Sequence, residues 1–201
     1  MTKPKRLTSE ARREQIVRCA ERVFAEHGLL GTKTRDIAKA CGINESVLYA
    51  HFRTKEDLFI EAVGRIHARA DAAMQRTADR CSTGGEALRE VMKLALTVLC
   101  ANPHLCTNML HTLASSTSGE RFRKFAADLL DRHRQVWIEV IKRGVRDGSL
   151  RGDLIPEEIV RYVQGSVWMS SLNVVTGRSP KTKALIKQHL NAIDKFLVPK
   201  P

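Results

Sequence analysis

No apolar run in this chain approaches the roughly 20 residues that a helix needs to cross a bilayer. The longest, Leu94 to Ala101, is interrupted by Thr97, so neither a membrane span nor a membrane partner is expected. Near the start, the basic cluster Lys3, Lys5 and Arg6 runs into Thr8-Ser9-Glu10. With no apolar segment or cleavage site behind it, this is not a secretory signal, and the cytoplasm is the expected compartment. Cysteine is sparse and odd in number, at positions 19, 41, 81, 100 and 106 with no C-x-x-C pair. That pattern suits neither a disulfide framework nor a zinc ribbon, and reduced thiols fit best. Only 6 Pro and 12 Gly exclude a collagen-like rod or a disordered tail. Also missing are the nucleophile elbow, the P-loop, the dinucleotide fingerprint and the H-E-x-x-H helix, so no cofactor is expected and an all-helical enzyme is a remote alternative.

What is present is 201 residues, enough for one compact body or for a very small domain beside a larger one. Lys and Arg number 34 against 22 Asp and Glu, a formal charge of +12 that favours a polyanionic partner. Residues 1–60 hold 12 basic and 8 acidic residues, and the remainder holds most of the excess. Charge therefore does not locate the binding surface.

Helical periodicity runs from end to end, and the fold class is all-α. Ile16, Ala20, Val23, Phe24 and His27 share one face of a first helix over about Ser9 to His27, which Gly28 can close. Thr32-Lys33-Thr34 offers capping hydroxyls to a short second helix that stops at Cys41-Gly42. Asn44 can cap a third, over Glu45 to Ala50, before Arg53-Thr54 signals a fourth and longer one from Lys55 to near Cys81. Ser82-Thr83-Gly84-Gly85 reads as a flexible link between two modules. Beyond it, helices are expected over Glu86 to Ala101, Leu105 to Ala114, Phe122 to Val145, Pro156 to Val175 and Lys181 to Val198.

The helix from Pro156 is apolar around most of its circumference, so something must cover both sides. A second copy of the chain is the expected cover. The expected dimer residues are Ile159, Val163, Val167 and Val174, with Ile186, Leu190, Ile193 and Leu197 on the last helix.

A short helix, a Gly turn and a second short helix are the parts of a helix-turn-helix, whose second helix enters the major groove. Ile16, Ala20, Phe24, Gly28, Thr32, Ile37-Ala38, Gly42-Ile43, Leu48-Tyr49, His51-Phe52, Lys55 and Leu58 resemble the DNA-binding region of the tetracycline-repressor (TetR) family. The resemblance covers residues 10–70, with the helix-turn-helix at about 33–52. It implies an N-terminal DNA-binding domain joined by a long helix to a helical ligand-binding and dimerisation domain over 71–201, and a homodimer on double-stranded operator DNA. Thr34 and Arg35 match phosphate-contacting positions, as do Tyr49 and His51, while Lys55 matches a cation at the start of the fourth helix. Asn44, Glu45, Ser46 and Val47 match the base-reading edge; Leu48 and Phe52 look like core. Glu45 and Val47 depart from the residues common in that family. A carboxylate can accept from cytosine N4, and valine methyls can pack on a thymine methyl.

The resemblance further implies a small-molecule effector that releases a repressor from DNA. Candidate lining residues are Leu96, Cys100, His104, Met109, Trp137 and Trp168, whose mixture of apolar and polar groups suits an amphipathic ligand. A rival reading makes Cys100, His104 and Cys106 a metal or redox sensor, although Pro103 interrupts their register and no fourth ligand is evident. No metal site is therefore expected.

Overall fold

The structure, a computed structural model, describes residues 7–102 and 119–199. Among them are eight helices and no strand: α1 (Ser9–Gly31), α2 (Thr34–Cys41), α3 (Glu45–His51), α4 (Lys55–Asp79), α5 (Gly84–Ala101), α6 (Glu120–Arg146), α7 (Pro156–Val175) and α8 (Thr182–Phe196). The expected helix over Leu105 to Ala114 lies outside the described residues. Where described, residues of Met1–Ile66 and Asn108–Phe125 form one compact unit and those of His67–Thr107 and Ala126–Pro201 another. The contacts thus divide within α4, a few residues before the boundary drawn from sequence.

In the first unit, α1 starts on a cap, with Ala11 N–H donating to Thr8 Oγ1 at 3.2 Å. Its regular part ends where expected, because Gly28 adopts φ +66°, a left-handed conformation that glycine enters without a Cβ clash. Thr32 does not cap α2. Its buried hydroxyl donates back to Gly28 O at 2.6 Å, and Lys33 occupies the cap position with no side-chain bond. Two charged clamps tie α1 to α4: Arg13 reaches the Glu61 carboxylate, and Arg65 bridges Glu14 and Glu61. Phe24, Phe59 and Phe122 follow one another edge to face and tilted, at centroid separations of 4.9 and 5.7 Å. Each buried ring removes enough apolar surface from water to stabilise by about 1.5–3 kcal/mol.

The second unit is built around Trp137, Leu88, Met92, Leu96, Ile141 and Leu150, all fully enclosed, with α5 packed on α7 and α8. Here one expectation is overturned. The 82–85 stretch is no flexible link: Thr83 caps α5, and Gly84 and Gly85 are buried in its first turn. Gly84 N–H donates to Asp147 Oδ2 at 2.6 Å and Gly85 N–H to Ser149 Oγ at 2.7 Å, satisfying the free donors of the helix start. A Cβ on Gly84 would fall 2.0 Å from Gly144 N, so these glycines let two backbones touch. Arg143, beside Gly144, donates to the Ala78 and Cys81 carbonyls.

Candidate nucleic-acid interface

The helix-turn-helix is held from beneath. Ile37 and Ala38 of α2 and Leu48 and Phe52 around α3 are buried, and the Arg13 guanidinium lies 4.5 Å over the Phe52 ring. Gly42, at φ +66°, ends α2, and the following Ile43 N–H bonds Ala38 O at 3.0 Å. This turn is what lets α3 start in a new direction after only three residues. The start of α4 is a reciprocal cap, with Thr54 N–H on Asp57 Oδ2 and Asp57 N–H on Thr54 Oγ1 at 3.1 and 3.0 Å. Burial pushes the Asp57 carboxyl up, but hydrogen bonds from Thr54 and Arg121 outweigh it and hold the group below the usual carboxylate range.

With Leu48 and Phe52 inward, the rest of the short helix faces outward. Asn44, Glu45, Ser46 and Tyr49 are exposed, Val47 and His51 are half-buried, and Arg35 stands exposed on α2. Asn44 sits at the cap position, yet its side chain makes no cap bond there. Its amide is left to other partners, against the capping role expected of it. Thr34 joins the two helices: its hydroxyl donates to Glu45 Oε1 at 2.5 Å and receives a longer contact from Tyr49 Oη at 3.4 Å. Exposed Lys33 and Arg53 flank α2 and α3 and were not among the expected contacts, because neither is one of the residues that carry the resemblance.

Lys55, matched to a cation at the start of the fourth helix, is engaged within the protein. Its ammonium donates to Leu29 O at 2.8 Å and Thr32 O at 2.9 Å, and the residue is half-buried. The break at Gly28 leaves carbonyls at the end of α1 without helical partners, and a cation at the start of α4 is the group that satisfies them. Lys55 thus ties the end of α1 to the start of α4.

Among the described residues, none of those expected to meet an effector lines the cavity of the second unit. Leu96 and Trp137 are core, Cys100 packs against that core, Trp168 is half-buried, and His104 and Met109 lie outside the described residues. A cavity of about 600 Å³ in the second unit is lined by Met92, Leu154, Ile159, Tyr162, Val163 and Phe196, with Ser166, Gln188, His189 and Arg151 as polar groups. Elsewhere in that unit His133 shares 2.6 Å with Asp71 through Nδ1 and accepts from Trp137 Nε1 at 3.3 Å. Nearby His67 is pushed down to about 4, chiefly by burial. Cys106 and His104 of the sensor alternative are not described; no group of three His, Cys, Asp or Glu suited to a metal occurs among the described residues.

The expected dimer residues pack on the chain's own second unit. Val163 and Ile193 are buried in the second unit, and Ile159, Val167, Val174, Ile186, Leu190 and Leu197 pack against that same core. The uncovered apolar positions on these helices are different ones: Tyr162 at 76%, Met169 at 58% and Phe196 at 57% exposure, with Ile155, Leu172 and Val175. Periodicity could not separate the two faces, because α7 is apolar on both.

Residues 16–62 match the sequence model described as bacterial regulatory proteins, tetR family. The transcriptional repressor AcnR of Corynebacterium glutamicum is 33% identical over 152 residues, covering 74% of this chain and 73% of that protein. The repressor KstR2 of Rhodococcus jostii is 27% identical over 185 residues, 90% of this chain and 89% of its own. The crystal structure of the regulator FadR from Bacillus subtilis with stearoyl-CoA superposes with a TM-score of 0.74 at 20% identity, over 90% of this chain and 96% of that one. Among the described residues no helix is long and apolar enough to cross a membrane.

Proposed function

Because the chain belongs to the TetR family of bacterial regulatory proteins, we propose that it is a ligand-responsive transcriptional repressor, acting in the cytoplasm as a homodimer on a near-palindromic operator. Its role is regulation of transcription and not catalysis. The observation that carries the reading is the exposed edge Asn44, Glu45 and Ser46, standing on buried Leu48 and Phe52 immediately after the Gly42 turn. A short helix held this way can enter a major groove, with Arg35, Tyr49 and His51 beside the phosphates.

Dimerisation is supported by the stripe Ile155, Tyr162 and Met169, spaced seven residues apart, with Leu172 one turn on and Phe196 on α8. So much apolar surface on one helix face favours a self-complementary partner, and a two-fold axis would present two α3 helices to two half-sites. The cavity supports an effector with an extended apolar body and a polar end, since its wall is apolar but for Ser166, Gln188, His189 and Arg151. α4 contributes residues to both units, so an effector that prefers one arrangement of its second half acts on the DNA-binding half.

A footprint of the purified protein on DNA flanking its own gene, repeated with stearoyl-CoA as the probe, tests this. Protection of two symmetric half-sites, lost on adding the probe, is the expected result. By linkage, a probe that weakens operator binding tenfold is itself bound tenfold more weakly by the operator complex, a coupling of about 1.4 kcal/mol. Absence of any preferred DNA sequence would overturn the reading.

A further inference from the structure

The Thr34 hydroxyl has one proton, and the structure commits it to Glu45 Oε1 at 2.5 Å across the turn of the helix-turn-helix. Its oxygen faces Tyr49 Oη at 3.4 Å, one helical turn along α3 from Glu45. A hydroxyl used in this way is not free to donate to a phosphate. It does, however, fix one oxygen of an exposed carboxylate and so sets the direction of the other.

We propose that Thr34 is a positioning residue for base selection: it holds Glu45 so that Oε2 is presented as a single acceptor to an exocyclic amino group in the major groove. The base that fits is cytosine. Its N4 amine is a donor with no acceptor beside it, whereas adenine places N7 next to N6, and guanine O6 and thymine O4 turn lone pairs toward the carboxylate. Each half-site of the operator therefore contains a C·G pair whose preference depends on Thr34, a residue on α2 that touches no base itself. Tyr49, in contact with the same hydroxyl, steadies the arrangement. The inference rests on the operator-binding reading and deepens it.

The test is selection from a randomised duplex pool by the full-length protein and by T34V, T34S and E45Q. Wild type and T34S should both enrich cytosine at one symmetric position of each half-site. T34V keeps the shape of threonine without its proton; it should lose about tenfold of that preference, within the range for one side-chain–base pair, and leave the rest of the consensus alone. E45Q, which both donates and accepts, should move the same position toward adenine. An unchanged T34V consensus, with affinity lowered equally on every sequence, would make Thr34 a phosphate contact and overturn the inference. So would an unchanged E45Q consensus, which tests the carboxylate without disturbing the hydroxyl. If wild type enriches no sequence at all, the operator-binding reading itself fails and this inference falls with it.

Discussion

Replacing Lys55 by Met keeps the aliphatic stem but removes the ammonium that bonds Leu29 O and Thr32 O at 2.8 and 2.9 Å. A hydrogen bond from a charged donor contributes about 1.5–3 kcal/mol, and two of them are lost. Lys55 is only half-buried, so water recovers part of that loss at the freed carbonyls. The net cost is then about 2 kcal/mol. It falls on the junction between α1 and α2, and so on the support of the helix-turn-helix. Since 1.36 kcal/mol is tenfold, K55M should open this region ~30-fold more often. Hydrogen exchange at the amides of α2 and α3 in the full-length chain reads that opening directly, because local unfolding free energies set the protection. Operator affinity should fall by a factor that does not vary with salt. A phosphate-binding lysine behaves differently: its loss lowers the salt slope by about 1 and leaves exchange unchanged. That second pattern would refute the clamp.

Three further outcomes are expected. Y162D places a carboxylate in the uncovered α7 stripe and should shift sedimentation from dimer to monomer; a dimer of undiminished stability would move the interface elsewhere. G84A, whose Cβ would sit 2.0 Å from Gly144 N, should cost about 3 kcal/mol or more in urea unfolding, because backbone and not a flexible side chain must yield, and parental stability would contradict the close crossing. His67 is pushed down from 6.5 to about 4, so between these values the unfolded chain binds the extra proton and stability falls as pH drops through this window; H67L should flatten that slope, and a slope identical to the parent would assign it to other groups.

How much of this was legible before the fold was seen depends on the range of the interaction concerned. The start of α7 at Pro156, the turn at Gly42 and the end of α1 at Gly28 are local: fixed φ or a left-handed φ is a property of one residue type, readable wherever the apolar period stops. Leu48 and Phe52 were readable as core through the resemblance to the TetR family, and both are buried. The expected edge of α3 emerges exposed because it is what remains.

Tertiary structure decided the rest, and each case turns on a partner far along the chain. Lys55 and Thr34 carry polar groups able to meet a phosphate. Only the fold shows that the ammonium faces two carbonyls more than twenty residues away and that the hydroxyl faces Glu45, eleven residues on. Gly84 and Gly85 have the composition of a flexible link, and what makes them rigid is the backbone of α6 lying against them, a contact without a local trace. On α7, apolar side chains ring most of the helix, so the sequence determined that the helix would be covered on several sides. Which stripe meets its own core, through Val160 and Val163, and which is left outward, through Tyr162 and Met169, was set by the rotation at which α5 and α8 receive it.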